Sequence, residues 1–263
     1  MYQPRTYRHW TRDTDLVSFK STVKETDLYV RAHEDLEPEA TRATLQCRSA
    51  LEEYIATHPD FLTSLEPVSV PGTAPDIVRE MADAARQVGV GPMAAVAGAT
   101  AEKVGRDLMR FSPEVVVENG GDIFIKATRK MLVGVYAGDS PFTGNIALEI
   151  EPDETPLGVC TSSGTVGHSL SYGNADAVIV LSPSAALADA AATAIANLVN
   201  EGDDIPTGIE FARNVKGLKG LVIIVGERLG AWGDVTIRGM QGDDGSPTGA
   251  RQDGQAAQSV AQE

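Results

Sequence analysis

Val115-Val116-Val117-Glu118-Asn119-Gly120-Gly121-Asp122-Ile123-Phe124-Ile125-Lys126 is the stretch on which the fold turns. Two β-branched, apolar runs flank Asn-Gly-Gly, and Asn-Gly between such runs is the strongest short-range hairpin signal. The reading is two strands, at about 114–118 and 122–126. Downstream, strand patterns continue at 131–137, 145–150, 157–161 and 176–181. Upstream, residues 15–32 alternate apolar and polar positions and read as two further strands joined near Lys24-Glu25-Thr26-Asp27.

Helical periods lie on either side of this strand-rich middle. One spans about 38–58 and opens on Pro38, a residue suited to a first helical turn. Others cover about 75–88, 93–110, 184–200 and, briefly, 207–215, with strands again near 220–225 and 233–238. Runs of strands followed by helices, at hairpin spacing, predict an α+β fold with a largely antiparallel sheet and packed helices, rather than a doubly wound one. Gly89-Val90-Gly91-Pro92 lacks the Lys-Ser/Thr of a phosphate loop and follows no convincing strand, so P-loop and Rossmann readings fail. From Gln241 on, large apolar residues almost vanish. The expected organisation is one domain over 1–240 and a disordered tail over 241–263.

Composition narrows the class. At 263 residues, 42% hydrophobic and 22% charged, the chain suits a soluble globular protein. A formal charge of −15 repels nucleic-acid backbones and anionic lipid. No run approaches the roughly 18–20 apolar residues of a membrane span, and Met1–Arg8 lacks the apolar centre of a signal peptide, so a cytoplasmic location is expected. Neither nucleic acid nor membrane is an expected partner; a small phosphorylated ligand is, and a homodimer is one candidate assembly. Cys47 and Cys160 form no disulfide framework or zinc knuckle. Cys160, inside a polar run, is considered as a reactive thiol.

Three segments carry candidate chemistry. Glu118, Asn119 and Asp122 crowd polar groups around Gly120 and Gly121; the plain reading is a turn, the functional one a ligand or cation contact. The run Thr161-Ser162-Ser163-Gly164 leads to His168, and its hydroxyls, amides and imidazole suit a phosphate, with His168 fit for acid–base work. Asp189 and Thr193 lie four residues apart on one helix face, a hard-oxygen pair suited to Mg²⁺. Their plain reading is a solvent-facing Asp and a Thr bonded back to its own helix.

In order, these segments resemble the ApbE superfamily, whose founding members are FAD:protein FMN transferases. Ala97-Gly98-Ala99-Thr100-Ala101-Glu102 is similar to that family's Lys-Gly-Tyr-Ala-Val-Asp. Val117–Ile123 resembles its Val-Asn-Ala-Gly-Gly-Asp-Ile. Thr161-Ser162-Ser163-Gly164 and Ala188–Ala194 resemble its Thr-Ser-Gly turn and Ala-Asp-Ala-x-x-Thr-Ala helix. The resemblance implies an ApbE-like fold and a pocket for FAD or FMN, or another phosphorylated molecule. Glu118, Asn119, Gly120, Gly121, Asp122, Thr161, Ser162 and Gly164 would bind it, and Ser163 and His168 would meet the reacting group. Mg²⁺ would sit on Asp189, Thr193 and a backbone carbonyl near Ala97. More narrowly, the chain resembles an uncharacterised ApbE-like branch associated in anaerobes with sulfur assimilation into homocysteine. That implies rival roles: an enzyme or accessory protein of that process that does not flavinylate, or a sulfur carrier using Cys160. Two departures stand out. Ala97 replaces the helix-start lysine, and only Thr165–Ala175 follows Gly164, where the transferases carry an insert ending in His-Ile-Ile-Asp-Pro.

Overall fold

The computed structural model describes residues 15–164 and 173–240. The described chain opens with β1 (Val17–Val23) and β2 (Thr26–Ala32), then α1 (Glu37–Thr57), a short α2 (Asp60–Thr63) and α3 (Asp76–Val88). A 3-10 turn, Pro92–Ala95, leads into α4 (Val96–Leu108). The strand-rich middle holds β3 (Val115–Asn119), β4 (Asp122–Lys126), β5 (Met131–Gly134), β6 (Ile146–Ile150), β7 (Leu157–Ser162) and β8 (Ala177–Ser182). Then come α5 (Ala185–Ala196), α6 (Ile205–Asn214), β9 (Gly220–Val225), β10 (Arg228–Gly233) and β11 (Thr236–Gly239).

The strands make an eight-stranded sheet, in the order β1-β2-β3-β4-β7-β8-β9-β10, and a three-stranded sheet, β11-β6-β5. Pairing among the described strands is antiparallel throughout, as hairpin spacing implied. The large sheet lies between two layers, because each strand sends alternate side chains to opposite faces. On one face Cys160, Val178, Val180, Leu221 and Ile223 pack with α3 and α5, and Val117 and Phe124 pack with α1 and α4. On the other, Leu157, Val159, Ile179 and Val222 pack against Leu148 and Ile150 of the small sheet. No helix among the described residues is long and apolar enough to cross a membrane.

The differences from the sequence reading have local causes. Where one strand is expected at 233–238 there are two, β10 and β11. Gly230 is needed for packing, since a Cβ there would lie 2.3 Å from Ile205 Cγ2 of α6. The expected helix 93–110 begins as the 3-10 turn, after Gly91 whose position against Ser64 leaves no room for a Cβ (1.8 Å from Ser64 O). The helix expected to reach 200 stops at Ala196, and the Val199 carbonyl instead accepts the Asn174 N–H at 3.0 Å. The strand expected to reach 137 ends at Gly134. Unforeseen α2 buries Phe61 edge-on to Tyr54, 5.3 Å between ring centroids. The expected tail, 241–263, lies outside the described residues.

Candidate functional site

α4 and α5 cross at unusually short range. Gly98 makes this possible, because a Cβ on it would lie 2.2 Å from Ala185 O and 2.8 Å from Asp189 Cβ. The first N–H groups of a helix have no partner within it. Here the Gly98 N–H donates to Asp189 Oδ2 at 2.8 Å, and the Ala97 N–H also bonds that carboxylate. In return Glu102 of α4 accepts the Ala185 N–H, in the first turn of α5, at 2.7 Å. Each helix thus supplies a carboxylate to the other's N-terminus, where the helix dipole favours negative charge.

The β3–β4 hairpin closes over this crossing. Gly120 and Gly121 have φ of 71° and 109°, the left-handed values a two-residue hairpin loop of this class requires. Asn119 Nδ2 donates to Ala97 O at 3.2 Å and ties the hairpin to the start of α4. Glu118 Oε1 accepts the Gly121 N–H at 2.9 Å. Asp122 is buried and accepts the Thr161 N–H at 3.2 Å and the Cys160 thiol. Burial above all, with the charge on Glu118, raises the Asp122 carboxyl to about 7, although both hydrogen bonds pull it down.

Asp122 and Asp189 come together from elements far apart in the chain. Asp189 is raised well above the usual carboxylate range by burial first and by the Asp122 charge second, with the Gly98 and Ala97 N–H groups opposing. Among the described residues, backbone amides and a thiol, rather than Lys or Arg, offset the pair. That environment and the hard oxygens of Asp189 and Thr193, both partly exposed on an otherwise buried face of α5, fit a small divalent cation. The Ala97 carbonyl, the third expected ligand atom, accepts Asn119 Nδ2 at 3.2 Å and keeps a second lone pair. Among the described residues no group of three or more His, Cys, Asp or Glu side chains forms a metal cage.

The remaining candidates divide by strand alternation. Ser162 and Asp122 face the helices, as Asn119 does. Thr161 and Glu118 project to the opposite face, and Thr161 reaches the site only through its backbone N–H. Ser162 is 4% exposed and its Oγ has no hydrogen-bond partner among the described residues. Ser163 is half-buried and Gly164 exposed. His168 lies outside the described residues. The carrier reading of Cys160 fails: its thiol is fully buried, its one proton lies between Ala185 O, 3.4 Å from the sulfur, and the Asp122 carboxylate, and its pKa is pushed up by burial and by Asp122 and Asp189. An electron-rich carbonyl and two carboxylates disfavour the thiolate that such chemistry needs. Sequence reasoning missed Glu102 and Gly98 as partners of α5. Their signal was there, four residues apart on one face of a small-residue helix. A shallow open cavity of about 510 Å³, lined by Leu198, Pro206 and Phe211, lies at α6, apart from these carboxylates.

The fold and this arrangement define an ApbE-like α+β protein. The apo flavinyl transferase ApbE of Pseudomonas stutzeri superposes with a TM-score of 0.53, covering 82% of this chain and 93% of that one at 14% identity. The ApbE protein of Thermotoga maritima gives 0.50, over 82% and 96%, at 13% identity. A sequence-family model described as AbpE bacteria matches residues 8–214, and the chain belongs to that family. Among its relatives are a UPF0280 protein of Methanocella arvoryzae, 41% identical over 81% of this chain and 87% of the relative, and one of Methanopyrus kandleri, 43% identical over 85% and 95%.

Proposed function

We propose that this protein binds a phosphorylated small molecule, with a flavin nucleotide as first candidate, as its Mg²⁺ complex. The place is where the hairpin tip Gly120–Asp122, the end of β7 and the Asp189/Thr193 face of α5 adjoin. The carrying observation is the meeting of Asp122 and Asp189, two desolvated carboxylates that no cationic side chain among the described residues offsets. A bound cation relieves that repulsion most directly. The stretch 158–181 contains no Lys or Arg, and Ala97 stands where the resembled family has lysine. Phosphate charge would therefore be met by the metal and by backbone N–H groups.

Asp189 and Thr193 would hold the ion, with phosphate oxygens completing its shell. When bound, Mg²⁺ supplies Lewis-acid polarisation of a phosphoryl oxygen. Asp122, fixed by the Thr161 N–H and the Cys160 thiol, would contribute negative charge opposite Asp189. The Ser162 hydroxyl is a donor free to turn toward the ligand. Gly120 and Gly121 let the ligand approach the backbone closely. Ser163 and Gly164 shortly precede, in sequence, His168, the proposed proton-transfer group. The flavin choice draws on the flavinyl transferase that shares the fold.

The test is calorimetry of FAD binding with and without Mg²⁺, on the wild type and Asp189→Ala. Mg²⁺ is expected to raise the wild-type affinity, and the variant to lose that gain, since it deletes both charge and ligand atom. Equal FAD binding by both proteins in Mg²⁺ would refute the metal role.

A further inference from the structure

We infer that Glu102 is a positioning residue for Asp189, setting the carboxylate's place by fixing the first turn of α5 against α4; this rests on the role proposed for Asp189 above. Glu102 is 9% exposed and divides its two oxygens. Oε1 takes Arg106 Nε at 2.9 Å and a terminal guanidinium nitrogen at 2.6 Å, while Oε2 takes the Ala185 N–H at 2.7 Å. Arg106 thereby orients the carboxylate so that its second oxygen is aimed at α5. The neighbouring orphan amide of that turn, Leu187 N–H, is met by Ser184 Oγ at 3.3 Å, so the start of α5 is fixed from two sides.

The geometry is that of two rungs. Gly98 and Glu102 are one turn apart on α4, and Ala185 and Asp189 are one turn apart on α5. Gly98 meets Asp189 and Glu102 meets Ala185, so the helices run antiparallel and each rung limits sliding at the other. With the Glu102 rung gone, Ala185 keeps the Cys160 thiol on its carbonyl at 3.4 Å but loses its hydrogen bond to α4, and the packing of small residues that remains between the two helices resists separation more than a shift along the axis. Asp189 would then drift relative to the Gly98 N–H and to Asp122. Glu102 itself needs no contact with ligand or metal for this effect. Outer residues that orient a ligating side chain are typically worth about 10–100-fold in metal affinity.

The experiment uses the full chain, with two readouts on wild type, Glu102→Ala and Glu102→Gln. Amide exchange by NMR reports the Gly98 N–H directly, with the Val30 N–H in the centre of the β1–β2–β3 ladder as the reference for global opening. Calorimetry reports Mg²⁺-dependent FAD affinity. In E102A, Gly98 is expected to lose protection relative to Val30, and the Mg²⁺-dependent affinity to fall about tenfold or more. E102Q keeps a carbonyl oxygen for Ala185 and should restore Gly98 protection. If E102A does not fold, Glu102→Asp, one methylene short of Ala185, replaces it with the same expectation. Wild-type exchange at Gly98 in the altered protein, or a loss shared equally by Val30, would overturn the inference. If the wild type binds no FAD with Mg²⁺, the functional proposal fails while the exchange result still decides the positioning role.

Discussion

Replacing Gly98 by alanine tests the α4–α5 crossing directly. The new Cβ would stand 2.2 Å from Ala185 O, 2.8 Å from Ala185 C and 2.8 Å from Asp189 Cβ. Two of these atoms are backbone, so no rotamer change relieves the overlap, and the helices must part by about 1 Å to reach ordinary contact. Overpacking of this kind costs about 1–3 kcal/mol. Alanine returns about 1 kcal/mol through helix propensity. Parting the helices also stretches the 2.8 Å bond from Gly98 N–H to Asp189, and hydrogen bonds to charged groups are worth about 1.5–3 kcal/mol. The net expectation is a loss of about 1.5–5 kcal/mol, or roughly 3–20 °C in Tm for a domain of this size. Calorimetric melting of G98A beside wild type and Gly72→Ala is the assay. A Cβ at Gly72 meets nothing within 4 Å, so that control should stay within about 0.5 kcal/mol. A G98A protein melting at or above the wild-type temperature would show that α4 and α5 do not approach as described.

Three further outcomes are expected. Glu149 carries the tie between β11, β6 and β5: Arg238 first, then Lys130, holds its carboxyl down to about 2 from an ordinary 4.5. The native state therefore binds fewer protons than the unfolded chain, so this stabilisation is complete above about pH 4.5 and fades toward pH 2. With both cations partly exposed it should be worth about 1 kcal/mol, and the stability gap between wild type and Glu149→Gln, from urea titrations, should close as the pH falls from about 4.5 to about 2; a gap constant with pH counts against it. Cys160 should resist alkylation by iodoacetamide in the native protein and react after unfolding, as mass spectrometry of the 157–162 peptide would report; prompt native labelling would mean that β7 is more open than described. Incubated with FAD, Mg²⁺ and a protein bearing a Thr or Ser acceptor, this chain should attach no FMN at many turnovers, because the residues after Gly164 lack the His-Ile-Ile-Asp-Pro element of the transferases. Abundant FMN adduct by mass spectrometry would restore a transferase activity.

The hairpin at 115–126 was legible because its signal is local: alternating apolar residues, a two-glycine turn and the pairing partner next in sequence. The α+β class followed from repeating that logic along the chain. β10 was not legible, since Gly230 and Gly233 carry meaning only through Ile205 and the Lys219–Gly220 backbone, which local reading cannot see. The early end of α5 is beyond local reading too: past Ala196 the chain turns, with the Leu198 N–H on Ile195 O and the Val199 carbonyl meeting the Asn174 N–H, a contact closed by the fold.

The site divides along the same line. Asp189 and Thr193 were found as a pair because four-residue spacing is a helix property. That Asp122 should meet Asp189, 67 positions away, was reached only through the family resemblance. Once the helices are placed, the meeting has a physical cause. Small residues at Gly98 and Ala185 let α4 and α5 touch, Asn119 fastens the hairpin to the start of α4, and Asp122 is carried in on the adjoining strand. Each step depends on a residue chosen for its size or its hydrogen bond rather than its charge, and those are the positions that pattern reading passes over. The carboxylates show where chemistry is proposed; Gly98, Glu102 and Asn119 explain why it is there, so their substitution should disturb the site as surely as loss of Asp189 itself.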